Sequence, residues 1–135
     1  MTRPELLLGP DAAVAGEKGL EVRIRQPWYR SLPLSSVLDV AVELDGTPVP
    51  DDRIRLRVNG RARRIAELAP CWDEIWFIQD EGAVEIDGAA GSPGDEIAVA
   101  VAIELRFPYI IIDGVGPLTR RTDAHRTLTV QEGRA

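Results

Sequence analysis

The sequence predicts an all-β fold: a single-domain antiparallel β-sandwich of jelly-roll-like form. Three observations lead there. Apolar residues recur with period two along most of the chain, turn dipeptides punctuate the runs, and helical spacing is never sustained. The 135 residues, 44% of them hydrophobic, suit one domain with a real core. The sandwich is expected over residues 19–130. A segment at 1–18 and a tail at 131–135 look loosely held or dependent on a partner.

The strands follow from their alternation. Leu20, Val22 and Ile24 alternate with Glu21, Arg23 and Arg25. Val40, Val42 and Leu44 alternate with Asp39, Ala41 and Glu43, and Ile54, Leu56 and Val58 alternate with Arg53, Arg55 and Arg57. Each reads as a half-buried strand with one wet face. Val84 with Ile86, and Leu128 with Val130, are shorter examples. From Glu96 to Phe107, large residues from Ile97 to Phe107 share one face while Ala98, Ala100 and Ala102 share the other. Alanine also suits helices, but strict alternation and β-branched content favour a strand. Small apolar residues on its second face suggest a central strand packed on both sides.

Turn chemistry marks the strand ends. Asn59-Gly60 separates two runs and is the strongest short hairpin signal; Asp45-Gly46 and Asp87-Gly88 follow strands, and Gly91-Ser92-Pro93-Gly94 reads as a loop. These residue types tolerate positive φ. Arg64 to Ala69 has room for a helical turn or two before Pro70 stops it.

Composition excludes several functions. A net charge of −6 disfavours nucleic acid, whose phosphates need a basic face. No apolar run approaches the roughly 20 residues that span a bilayer. The first ten residues lack the pattern of a signal peptide, so a cytoplasmic location is expected. The single cysteine, Cys71, makes neither an internal disulfide nor a thiolate zinc site and reads as a small buried hydrophobe. The single histidine, His125, is far from it in sequence, which speaks against a Cys–His nucleophile and against a cupin-like metal enzyme. Acids such as Asp73, Glu74, Asp113 and Asp123 show no cage spacing, and no phosphate loop or Ser/His/Asp elbow is present. On the residues alone, nothing marks a catalytic or metal-binding constellation in this chain.

Several segments remain as functional candidates. Arg25 to Leu34 sets Trp28, Tyr29 and Arg30 between Pro27 and Pro33. These three types dominate binding hot spots, because they bury large area while keeping a polar handle. The alternative is a loop that folds back into its own core. In Cys71 to Ile78, Trp72 and Trp76 would share a face of a strand and could offer indoles to a sugar ring; core or partner contact is the plainer reading. In Leu105 to Val115, Pro108 should bend the chain or mark an edge, and Tyr109 to Ile112 needs covering by the core or another subunit. Arg120 to Thr127 combines basic residues with His125, read as solvated. The row Arg53, Arg55, Arg57 reads as an outward face paired with acids such as Glu43.

The order of these segments is specific. An alternating strand enters Gln26-Pro27-Trp28-Tyr29-Arg30-Ser31-Leu32-Pro33-Leu34. Pro50-Asp51-Asp52-Arg53-Ile54, Val58-Asn59-Gly60-Arg61, a Trp-rich stretch and a long strand ending Leu105-Arg106-Phe107-Pro108-Tyr109 follow, and the chain finishes on Arg126 to Val130. Over roughly Gly19 to Val130 this resembles the β (small) subunit of C-glycoside deglycosidases, with Trp28 where such subunits often carry Tyr. The resemblance implies a TIM-barrel α-subunit partner, related to sugar isomerases and epimerases, that binds a divalent metal, typically manganese, and holds the acid/base groups. That α subunit would cleave the carbon–carbon bond between sugar and aglycone in a 3-oxo-C-glycoside. The ketone acidifies the neighbouring C–H, so elimination replaces hydrolysis. The small β-sandwich subunit docks on the barrel and contributes no catalytic residue. Pro27, Trp28, Tyr29, Arg30, Leu32, Pro33, Phe107, Pro108 and Tyr109 are the expected interface, with Trp72 and Trp76 as sugar or partner contacts. The competing function is a stand-alone carbohydrate-binding module built on Trp72 and Trp76.

Overall fold

A computed structural model describes residues 4–16, 19–28, 30–89 and 91–132. The alternating runs form strands that pair antiparallel into two main sheets. The first sheet contains β1 (Ala13–Ala15), β2 (Gly19–Arg25), β6 (Ile54–Val58), β7 (Arg61–Arg63) and β9 (Glu81–Asp87), in the order β1-β2-β9-β6-β7. The second contains β4 (Val37–Leu44), β5 (Thr47–Pro48), β10 (Glu96–Ile112) and β11 (Gly116–Thr129), in the order β11-β10-β4-β5. A two-residue pairing of β3 (Leu32–Pro33) with β8 (Ile75–Trp76) ties the two candidate aromatic segments together.

The inner faces supply one continuous core. Val22, Ile24, Leu56, Val84 and Ile86 of the first sheet meet Val40, Val42, Val99, Val101 and Ile103 of the second. Burying such side chains contributes about 1.5–3 kcal/mol each, which makes their alternation the main determinant of register. Asn59-Gly60 and Asp45-Gly46 close two-residue hairpins, with φ of 56° and 78° in the first and 51° and 81° in the second. Positive φ at both positions is the turn whose twist matches the flanking strands.

Three expectations change, and a fourth, the helical turn after Arg64, is made specific. The core reaches past the expected boundary at residue 19. Leu7, at the end of the short helix α1 (Pro4–Leu7), and Leu8 are buried, and β1 pairs with β2. The turn after Arg64 is a 3-10 turn over Ile65–Glu67, capped by its own Glu67, whose carboxylate accepts from the Arg64 backbone N–H at 2.8 Å. The arginine row does not meet Glu43, which lies on the other sheet. Arg57 reaches Glu21 and Glu85 at 2.7 Å each, and Arg55 reaches Asp87 at 3.6 Å. Nor does any described element pack on the alanine face of β10. Ala98 is exposed and Ala100 and Ala102 half-buried, flanked on β4 by Ala41 and Glu43 and on β11 by Asp123 and His125.

No helix among the described residues is long and apolar enough to cross a membrane.

Candidate partner-docking site

Two segments far apart in sequence meet at one end of the sandwich. Strand β10 pairs with β4 only as far as Leu105, opposite Val37, so its later residues have β11 as their sole ladder partner. The ladder breaks after Phe107, which faces Leu118, and resumes at Ile111, which faces Pro117. Pro108 sits in that bulge, where no backbone N–H is required of it. The outcome is a two-stranded arm turning at Asp113-Gly114.

The loop after β2 packs against the base of this arm. Gln26, Pro27 and Trp28 are buried. The indole of Trp28 stacks on Phe107 with ring centroids 4.1 Å apart and an interplanar angle of 29°. Its N–H donates to the Tyr109 hydroxyl. Phe107 meets Tyr109 edge-on at 6.5 Å, and the Arg30 guanidinium lies 4.5 Å from the centre of the Tyr109 ring. The chain thus runs from core through Trp28 and Phe107 to a half-exposed Tyr109 under a cation. Stacked and edge-to-face rings contribute about 0.5–1.5 kcal/mol beyond burial, and a cation over an exposed ring about 0.5–1 kcal/mol.

This geometry divides the expected interface residues. Pro27, Trp28, Leu32 and Phe107 are buried inside this domain, which corrects the expectation that these four face a partner; Pro33 is half-buried. They are large apolar groups whose segments fold back onto the core. Arg30, Pro108 and Tyr109 remain exposed; Tyr29 lies outside the described residues. Beyond the junction, Ile110 and Leu118 lean on the core, while Ile111 (63% exposed), Ile112 and Val115 (80% exposed) do not. Sequence reasoning placed Ile111 and Ile112 in an apolar liability but missed Val115 at the tip, because a lone valine beside Gly114 gives no periodic signal.

The tryptophan pair is also corrected. Residues 72–73 turn, and only Ile75–Trp76 is strand, so Trp72 and Trp76 share no face. Trp72 is 74% exposed, whereas Trp76 is enclosed. Gly82 makes its place: a Cβ there would lie 3.0 Å from the Trp76 ring. Trp76 donates its N–H to the Asp80 carbonyl at 3.0 Å, and its own carbonyl accepts from buried Gln26 at 3.1 Å. The turn is held by Glu74, whose carboxylate accepts from both terminal nitrogens of buried Arg63 and from Asn59 at 3.2 Å. The Arg63 guanidinium, hydrogen-bonded to Glu74, holds that carboxyl below its ordinary range; Arg57 does the same to Glu21.

Chemistry elsewhere is sparse. His125 borders a shallow groove of about 500 Å³ over the alanine face, with Glu43 on the far wall. Cys71 is half-buried and directs its thiol at the Glu67 carbonyl, 3.4 Å away. Among the described residues no three His, Cys, Asp or Glu side chains are grouped to hold a metal ion.

Comparison with known proteins identifies the family. Residues 12–109 match the family model of the C-glycoside deglycosidase beta subunit. The 3'-dehydrocarminate deglycosidase beta subunit of a Microbacterium species is 34% identical over 128 residues, covering 95% of this chain and 96% of that protein. Two C-glycoside deglycosidase beta subunits of Arthrobacter globiformis are similar at 38% over 96 residues and 37% over 98, the first covering 70% of this chain and 73% of its own length. On the extent of these matches, the chain belongs to the C-glycoside deglycosidase beta subunit family.

Proposed function

We propose that this chain is the non-catalytic β subunit of a heteromeric C-glycoside deglycosidase, a carbon–carbon lyase acting on 3-oxo-C-glycosides. Its work is to stabilise and complete a TIM-barrel α subunit that holds the divalent metal and the acid/base groups. The observation that carries the reading is a finished core from which an apolar arm projects uncovered: Ile111, Ile112 and Val115 are exposed at the tip. Monomeric surfaces rarely leave such residues clustered without a partner. The beta-subunit names of the relatives support a partner chain, and a relative named for a 3'-dehydro substrate supports a sugar oxidised at that carbon.

The donor set of this chain does not fit the metal, since no three suitable side chains are grouped among the described residues. No catalytic step is assigned to it. A carbohydrate-binding module is not favoured, because Trp76 is enclosed and cannot offer its ring beside exposed Trp72.

The test is co-expression with the proposed barrel-type α subunit. The two should co-purify, and only the complex should release aglycone from a 3-oxo-C-glycoside. A lone chain that turns over the substrate, or a barrel protein fully active and stable alone, would contradict the proposal.

A further inference from the structure

Resting on that reading, we infer that the β10–β11 arm beyond Tyr109 determines which α subunit this chain assembles with. The partner surface it fits is an apolar cleft with an acidic rim.

The arm is separable from the domain. From Pro108 to Arg121 no residue is buried, and only Ile110 and Leu118 lean on the core. The family match ends at Tyr109, in the bulge just beyond the last β10–β4 pair at Leu105. The matched residues thus take in the sandwich strands through β10 and the aromatic junction, while the tip and the returning strand β11 lie beyond them. Selectivity is also needed, because Arthrobacter globiformis alone supplies two similar beta subunits. An element that discriminates between α subunits must differ between β subunits without disturbing the fold, and a projecting hairpin satisfies both conditions.

Charge gives the chemistry of the partner. The chain carries −6 overall, yet residues 105–122 contain three arginines and one acid, Asp113. Arg30 joins this group by lying over Tyr109. Arg121 is engaged by Asp39 at 3.1 Å and Glu104 at 3.7 Å. Arg30, Arg106 and Arg120 have no carboxylate partner among the described residues, and the Arg106 Nε is buried without an acceptor. An apolar tip behind a collar of unmatched guanidinium groups fits a greasy cleft rimmed by carboxylates. A second copy of this chain fits less well, since two arms meeting tip to tip would bring their collars together.

The test is a competition. This chain and the Microbacterium subunit, whose match spans nearly all of this chain, are offered together to the α subunit of each. Residues 108–118 are then exchanged between them. The exchange should move the preference by at least about tenfold toward the α subunit from which the arm came. Because a grafted hairpin can misfold, Ile111→Asp is made in parallel. It should weaken binding to the chain's own α subunit at least about tenfold with an unchanged melting temperature. Preference that follows the sandwich, or Ile111→Asp binding as tightly as the parent, overturns the inference and leaves the proposed function standing. A parent chain that binds neither α subunit removes both. A lone chain that dimerises and is made monomeric by Ile111→Asp overturns it in favour of self-association.

Discussion

The junction around Trp28 and Phe107 and the tip of the arm a few residues later are both apolar, yet they are treated in opposite ways. At the junction every ring has a neighbour: Trp28 lies on Phe107, Phe107 meets Tyr109, and Tyr109 accepts from Trp28. At the tip Ile111, Ile112 and Val115 face outward. The difference is topological. From Val99 to Leu105, β10 has a neighbour on each side; beyond Leu105 only β11 remains, and a two-stranded ribbon has no second layer to bury its side chains. Apolar composition therefore did not separate core from interface here; position relative to the end of β4 did.

The largest effect should come from breaking the junction. Trp28→Ala removes a buried indole and its stack, and should cost about 3–5 kcal/mol in urea unfolding. A smaller loss is expected at the turn before β8. Glu74→Ala leaves buried Arg63 without its carboxylate and should cost about 2 kcal/mol, below the figure for a fully buried pair because Glu74 keeps some contact with water. Tyr109→Phe sharpens the comparison further. It removes the acceptor of the Trp28 N–H while keeping the ring, at about 1 kcal/mol. At the tip, Val115→Ser should change the stability of the lone chain by no more than about 0.5 kcal/mol.

Acidity probes two carboxylates, Glu21 on the outer face of the first sheet and Glu74 in the turn before β8. Glu21 and Glu74 are both held below the ordinary carboxylate range, chiefly by hydrogen bonds from Arg57 and Arg63. A depressed folded pKa means that the unfolded chain takes up the proton first. The stability these pairs contribute is therefore present at neutral pH and lost as pH falls through and below that range. Glu21→Gln should flatten the acid limb of a stability–pH profile; an unchanged limb would exclude the Arg57 pairing as its source.

Much of the fold was legible in the sequence because period-two alternation and Asn-Gly or Asp-Gly turns are local signals. Val22, Leu56 and Ile103 lie inward as their spacing requires. The failures all concern which chain elements meet. Alternation placed Arg57 on an outward face but could not say that Glu21 and Glu85, rather than Glu43, stand beside it, since that depends on strand order. Four-residue spacing put Trp72 and Trp76 together only if the backbone stayed extended; the Arg63–Glu74 pair and the turn at 72–73 prevent it. The alanines of β10 were read as a packed second face, but they face outward from the sheet. Of the candidate site, the segments were legible and their exposed residues were not, because burial of Trp28 depends on Phe107, 79 positions later.

Amide hydrogen exchange on the chain alone and in complex with its α subunit tests the central claim most directly. Amides at 99–105 should be protected in both states, while those at 110–117 should exchange quickly in the lone chain and slow by at least about tenfold on assembly. An arm whose exchange is unchanged in a stable complex, with protection arising elsewhere on the sandwich, would contradict the account.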